Sequence, residues 1–250
     1  MKMKAIVLAG GKGTRLFDSE NPVPKVLREA AGNPLMKYVL DSISYIDIND
    51  IIIVVGFMHE MVTDRFPGYN FVRQGDDGYG TGYGMMCGYN AMDLSGYDGD
   101  IFVLQGDTPC VKAETLAKMA EDHHKKGSSA TLLSHYTERK LPFGRIVRNA
   151  DGGVEKIVEE KNCTPEQKLI KELNVGMYVF NAADLRDAVS KLTINPVTNE
   201  YYLTDIIEIM YKDNKRVDSH ITYDETELWG VNTPEDLAMV GEILTSRKKS

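Results

Sequence analysis

Ala5-Ile6-Val7-Leu8-Ala9-Gly10-Gly11-Lys12-Gly13-Thr14-Arg15, followed after a polar stretch by Pro24-Lys25, is the passage on which the reading of this chain turns. A short apolar run that empties into a glycine-rich, basic loop is a device for holding phosphate. Small residues let backbone N–H groups approach an anion, and Lys and Arg add charge. The first sixteen residues carry four positive charges (Lys2, Lys4, Lys12, Arg15) and no acid, in a chain of 250 residues whose net charge is −8. Local charge that opposes the global sign marks a site rather than a surface trend.

Two familiar glycine loops are excluded. A P-loop ends in Lys-Ser/Thr, whereas Gly13 is followed by Thr14-Arg15. The dinucleotide fingerprint G-x-G-x-x-G fits Gly11 and Gly13 but meets Leu16 where its third glycine belongs. Its ribose-binding acid is also missing, because the second apolar run, Ile51 to Val55, ends in Gly56-Phe57.

Working outward, short β-branched runs alternate with helix-like stretches. Strands are expected at Lys4–Ala9, Ile51–Val55, Asn70–Arg73, Ile101–Gln105 and Ala130–Ser134. Helices are expected at Pro34–Ser44, His59–Arg65, Gly82–Met92 and Ala113–Lys125. This alternation predicts an α/β fold, a Rossmann-like, mostly parallel sheet with helices on both faces. Cap-then-proline pairs at Asn33-Pro34, Thr164-Pro165 and Thr233-Pro234 predict three helix starts, the second with a capping-box pattern through Gln167. After residue 140 the rhythm changes to strands at Gly144–Arg148, Val154–Glu159 and Val175–Phe180, the first two joined by an Asp151-Gly152-Gly153 hairpin turn. That predicts a smaller α+β subdomain rather than an independent domain. Ile206, Ile207, Met210 and Tyr211 have helical spacing and read as core. His123 and His124 read as surface histidines on an exposed helix beside Lys125-Lys126, since adjacent residues do not share a helix face.

The composition narrows the partners. A net charge of −8 argues against nucleic acid or an anionic membrane. No run approaches the ~18 apolar residues of a membrane span. The N-terminal apolar run is too short for a signal peptide, so a cytoplasmic protein is expected. Cys87, Cys110 and Cys163 have no framework or metal spacing and are expected to be reduced.

With Leu8-Ala-Gly-Gly-Lys-Gly-Thr-Arg15 and Pro24-Lys25-Val26-Leu27, the chain resembles the sugar-1-phosphate nucleotidyltransferase (NDP-sugar pyrophosphorylase) family. Later blocks narrow the resemblance to the N-terminal uridyltransferase domain of its bifunctional N-acetylglucosamine-1-phosphate branch. These blocks are Gln74-Gly-Asp-Asp-Gly-Tyr-Gly80-Thr81-Gly82, Leu104-Gln105-Gly106-Asp107, Phe143-Gly144-Arg145, Ile157-Val-Glu159, Asn174-Val-Gly-Met-Tyr178, Asn199-Glu200-Tyr201-Tyr202-Leu203-Thr204 and Gly230-Val231-Asn232.

The resemblance implies a Mg2+-dependent enzyme that joins a nucleoside triphosphate, UTP first, to a sugar 1-phosphate, N-acetylglucosamine 1-phosphate first. Leu8, Ala9, Gly10, Gly11, Lys12, Gly13 and Thr14 would line the nucleotide, with Arg15 on the leaving pyrophosphate and Lys25 on the reacting phosphates. Gln74, Gly80 and Thr81 would surround the base. The Gln74 amide, one donor beside one acceptor, fits uracil and, flipped, cytosine. Asp107 and Asn232 would hold Mg2+ through oxygen. Gly144, Glu159, Asn174, Tyr202 and Thr204 would form the sugar pocket. The implied layout is one domain: a nucleotide-binding part over 1–140, a sugar-binding part over 141–228, and a metal-ligand turn with a C-terminal helix over 229–250, without a β-helix acetyltransferase domain. Gly10 where that branch has Ala, a longer loop at 17–23 and Gln105 where it has Tyr are the departures. They keep open another NTP or hexose phosphate, or a nucleotide-sugar sensor. Oligomeric state is not legible.

Overall fold

The computed structural model describes residues 2–11, 13–16 and 22–249. Its strands are β1 (Met3–Ala9), β2 (Glu29–Ala30), β3 (Asn33–Pro34), β4 (Ile51–Val55), β5 (Asn70–Arg73), β6 (Asp100–Gln105), β7 (Ala130–Tyr136), β8 (Arg145–Arg148), β9 (Val154–Val158), β10 (Glu172–Asn181) and β11 (Val217–Thr222). Its helices are α1 (Leu35–Ser42), α2 (His59–Arg65), α3 (Thr81–Ala91), α4 (Ala113–Lys126), α5 (Ala182–Val189), α6 (Asp205–Lys212) and α7 (Pro234–Arg247).

The main sheet runs β11-β7-β10-β6-β1-β4-β5. Its pairs β1·β4, β1·β6, β4·β5 and β7·β11 are parallel. The strand β10 is antiparallel to both β6 and β7 and separates them. The hairpin β8–β9 hangs from β10 through Leu173 and Arg145. The mostly parallel sheet expected from the apolar runs is therefore present, with one long reversed strand inside it.

Alternation along each strand feeds two layers. Ala5, Val7, Ile51, Ile53, Phe102 and Leu104 face a core closed by α1, α2 and α4. Ile6, Leu8, Ile52, Val54, Ile101 and Val103 face the opposite core, closed by α3, α5 and α6. Ile206, Ile207 and Met210 of α6 are buried as their spacing requires, while Tyr211 is half-buried. On the small-residue helix α3, a Cβ at Gly88 would stand 2.5 Å from Ile6 Cγ2 and 2.9 Å from Val54 Cγ2, so glycine lets the helix lie directly on β1 and β4.

Three local expectations change. Asn33-Pro34 is a strand, and α1 starts at Leu35 without a side-chain cap. Thr164 and Gln167 do exchange capping hydrogen bonds, at 2.9 and 3.2 Å, but only the short 3-10 turn Gln167–Leu169 follows. Thr233 alone opens a full helix, α7, with a complete capping box to Asp236. The third change concerns the histidines. His124 is exposed, but His123 is 1% exposed, with Nδ1 2.9 Å from Thr131 Oγ1 and Nε2 3.5 Å from Asp100 Oδ1. The correction has a simple cause: the sheet brings the polar partners Thr131 and Asp100 under the helix, from β7 and β6. The three cysteines are free thiols, and no helix among the described residues is long and apolar enough to cross a membrane.

Candidate functional site

The C-terminal ends of β1, β4, β5 and β6 open onto one cleft of about 760 Å3, a volume in the range that holds a small-molecule ligand. Open α/β sheets bind ligands at this edge. From β1 come Leu8, Ala9, Gly10 and Gly11; from the loop after β5, Gln74, Gly75 and Gly80; from α3, Thr81 and Gly84; from the end of β6, Gln105 and Asp107; and Lys25 closes one side.

The glycines answer to specific neighbours. Gly56 has no room for a side chain, because its Cβ would meet Gly10 O at 2.5 Å. A Cβ on Gly10 would reach Gln74 Oε1 at 2.7 Å, and one on Gly84 would stand 3.3 Å from the same oxygen. The Gln74 amide is thus held between two glycines, while its backbone N–H donates to Val55 O at 2.7 Å. Gly13 has φ +57°, and a Cβ there would strike Lys25 Cβ at 2.8 Å, so the loop folds back over Lys25.

A charged centre forms where Lys25 and Asp107 line the same cleft. Lys25 Nζ forms an ion pair with Asp107 Oδ2 and donates to Asn232 Oδ1 at 3.2 Å. Residues 230–232 are brought there by backbone: Val231 N–H donates to Asp107 O at 2.9 Å, and Asn232 N–H donates to Asp236 Oδ2 at 2.9 Å in the α7 cap. The strand ends are joined in turn, since Gly106 N–H donates to Leu8 O at 2.9 Å. Asp107 and Asn232, more than a hundred residues apart, therefore present oxygens to one cation, the Lys25 ammonium. That donor set, a carboxylate and an amide oxygen converging on a positive charge, fits a hard divalent cation.

The pocket residues expected for the sugar form a second cluster beside this cleft. Thr204 Oγ1 donates to Glu159 Oε1 at 2.9 Å. Asn174 N–H donates to Gly144 O at 2.9 Å, and Asn174 Nδ2 donates to Tyr178 OH at 2.8 Å. Burial pushes the Tyr178 phenol far above its ordinary pKa. Tyr202 and Thr204 are both buried, and the Tyr202 hydroxyl is committed to Thr198 Oγ1 at 2.8 Å. A seam ties the two clusters together: Tyr201 N–H donates to Tyr79 O at 2.8 Å, Gly82 N–H donates to Tyr201 O at 2.9 Å, and Leu203 N–H donates to Thr81 Oγ1 at 3.3 Å. Next to Glu159, the Asp205 carboxyl is pushed up to about 6, first by burial and then by the Glu208 and Glu159 charges.

Some expected residues stand apart. Thr14 and Arg15 are exposed, and neither they nor Gly13 lines the cleft. Lys12 lies outside the described residues. Arg73 and Gly56, which no block of the sequence singled out, also line it, as do Tyr79 and Glu200 from within two of the quoted blocks. Gly56 carried a signal, a glycine directly after a buried strand. Glu200 and Tyr79 were marked only as members of their blocks, and the seam is what brings the two blocks together.

The profile of the MobA-like NTP transferase domain matches residues 5–202. The chain is 38% identical over 249 residues to a "Bifunctional protein GlmU" from Clostridium perfringens strain SM101, covering 99% of this chain and 53% of that protein. It is 37% identical over 250 residues to the protein of the same name from Lactococcus lactis subsp. lactis, again covering 53% of it. The chain thus spans about half the length of the curated relatives it matches. Among solved structures, a UDP-glucose pyrophosphorylase complexed with UDP-glucose superposes with a TM-score of 0.78 at 17% identity, all of both chains being covered. An inositol-1-phosphate CTP transferase from T. maritima superposes with a TM-score of 0.71 at 19% identity, covering 100% of this chain and 97% of the other. The fold is that of the nucleotide-diphospho-sugar transferases.

Proposed function

The chain belongs to the MobA-like NTP transferase domain family, and from that membership we propose that it transfers a uridylyl group from UTP to N-acetylglucosamine 1-phosphate, releasing pyrophosphate. The observation that carries this reading is the convergence of Lys25, Asp107 and Asn232 at a cleft that Gln74 also lines. The charged group suits phosphates and the Gln74 amide suits a base. The resemblance of the later sequence blocks to the uridyltransferase branch supports the choice of sugar and nucleotide.

In the proposed reaction a phosphate oxygen of the sugar 1-phosphate attacks the α-phosphorus of UTP. The new P–O bond forms as the bond to the β-phosphate oxygen breaks, and pyrophosphate carries away the electron pair. The nucleophile is already an anion, so no strong general base is needed. The work lies in bringing two polyanions together and stabilising charge at the reacting phosphorus. Backbone N–H groups at Gly10 and Gly11 would hold the triphosphate. The Lys25 ammonium, already at the charged centre, would move from Asp107 onto the phosphates. Asp107 and Asn232 would hold Mg2+, which would supply charge neutralisation on the reacting phosphates. Arg15, exposed in this structure, would need to fold inward to reach pyrophosphate. Glu159, Asn174 and Gly144 would orient the sugar, with Thr204 acting through Glu159. In this reading residues 1–140 serve the nucleotide and 141–228 the acceptor, in a cytoplasmic enzyme.

The test is pyrophosphate release from each of four NTPs with a panel of sugar 1-phosphates, with Mg2+ and with EDTA. Release with UTP and N-acetylglucosamine 1-phosphate, abolished by EDTA, is the expected result. Release with another base or acceptor only would replace the substrate assignment, and no release with any pair would overturn the reaction.

A further inference from the structure

We propose that Gln105 is the residue that reads the substituent next to the phosphorylated carbon of the acceptor, selecting an acetamido group over a hydroxyl. The proposal rests on the functional reading above and goes beyond it by naming the group that discriminates.

Gln105 is the last residue of β6 and lines the cleft two positions before Asp107. Ile101 and Val103 face the core beneath α3 and α6, so strand alternation points Gln105 to the same side. That is the side of Asn174, Tyr178 and Thr204. Beside Gln105, β10 breaks its register with β7 between Asn174 and Tyr178, and Gly176 at the break has φ +87°. A Cβ on Gly176 would stand only 3.3 Å from Gln105 Cγ. The bulge therefore supplies the space that the Gln105 side chain uses, and the left-handed φ excludes other residues there at low cost.

The neighbouring polar groups are already engaged. Asn174 Oδ1 accepts from Gly176 N–H at 3.2 Å and Asn174 Nδ2 donates to Tyr178 OH. Thr204 and Glu159 bond each other. The half-buried Gln105 amide makes no side-chain hydrogen bond to the described residues, which leaves one donor and one acceptor open to the cleft. Gly106 and Asp107 turn directly out of the strand, with Thr108 N–H donating to Gln105 O at 3.3 Å, so Gln105 and Asp107 belong to one tight turn. With the acceptor phosphate at Asp107, the substituent on the next carbon falls within reach of that amide. An acetamido group presents one N–H and one C=O and can satisfy both halves of the amide. A hydroxyl has a single oxygen and satisfies them less completely. An amide left half-paired in a partly desolvated site costs about tenfold in discrimination.

The experiment measures kcat/KM with UTP for N-acetylglucosamine 1-phosphate and for glucose 1-phosphate, in the wild type, Gln105→Leu and Gln105→Met. Both variants keep the volume and remove the donor and acceptor. The ratio of the two acceptors is independent of how much of each preparation is folded. The expected result is a wild-type preference for the acetamido acceptor that falls about tenfold in both variants, with KM for UTP within twofold. A ratio unchanged within twofold in an active variant, or a wild type without preference, overturns the role of Gln105 and leaves the reaction standing. A wild type that releases pyrophosphate with no acceptor overturns the functional reading and this inference with it.

Discussion

At the residue scale, the Lys25 ammonium joins two oxygen ligands drawn from β6 and from the turn before α7. Removing the charge from either side of this group should leave the fold intact, because all three residues sit at strand ends and turns rather than in the core. Lys25→Ala and Asp107→Asn are each expected to lower kcat by about 10²–10³, the scale for losing one preorganised electrostatic group, with Tm nearly unchanged. Wild-type turnover in either variant would remove the charged centre from the mechanism. Asp205 offers a test of stability rather than rate. Its carboxyl is pushed up to about 6 by burial and by Glu208 and Glu159. The folded state therefore holds this proton more tightly than the unfolded chain. Its contribution to stability is fully present below about pH 4 and is lost as pH rises through about 6. Asp205→Asn should raise Tm at pH 8 and change it little at pH 4. The gain should be on the order of 1 kcal/mol, discounted for the half of the group that water reaches. An equal shift at both pH values would mean that the charge is not the cause.

At the element scale, α3 lies so close to the sheet that it has no space for added side chains. Gly88→Val would drive methyl groups into Ile6 and Val54. The helix must lift, at a cost of roughly 1–3 kcal/mol, and its first residue Thr81 lines the cleft. Lower urea stability together with a raised KM for UTP is the expected pair, and lost stability with unchanged KM would show that helix and base loop move independently. Much of this layer was legible in the sequence. The runs at Ile51–Val55, Asn70–Arg73 and His59–Arg65 form the elements expected of them with the same bounds, because local apolar pattern and turn chemistry decide them. What escaped was set by distant partners. Val217–Thr222 pairs with β7 at the sheet edge, where the Asp218-Ser219-His220 stretch is only half-buried and shows no apolar run. The burial of His123 depends on Asp100 and Thr131 from other strands. Within the candidate site, the loops that follow strands were readable as cleft residues. The convergence of Asn232 on Lys25 was expected only through the family resemblance, since its cause is the backbone bond between Val231 and Asp107.

At the scale of the whole molecule, β10 decides what can be separated. The strand β7 belongs to the first 140 residues, yet its sheet partners are β10 and β11. The strand β6 meets β10 on one side and β1 on the other. A fragment of residues 1–140 would expose the facing edges of β6 and β7 with nothing between them. It is expected to lack the cooperative urea transition of the full chain. A fragment that unfolds cooperatively and binds UTP would show that the nucleotide part stands alone.

The seam between residues 79–82 and 201–203 has a further consequence, for inheritance rather than chemistry. Three backbone-donated hydrogen bonds join the loop proposed to surround the base to the segment proposed to carry the acceptor pocket, although 120 residues of chain separate Thr81 from Tyr201. Traits encoded that far apart would ordinarily be exchangeable one at a time. Here a loop transplanted from a relative brings the wrong counterpart for Tyr201, so a chimera that alters base choice alone should lose acceptor selectivity as well. On the proposed reading, a change in either segment is expected to be felt in the other, so the two preferences would be inherited together.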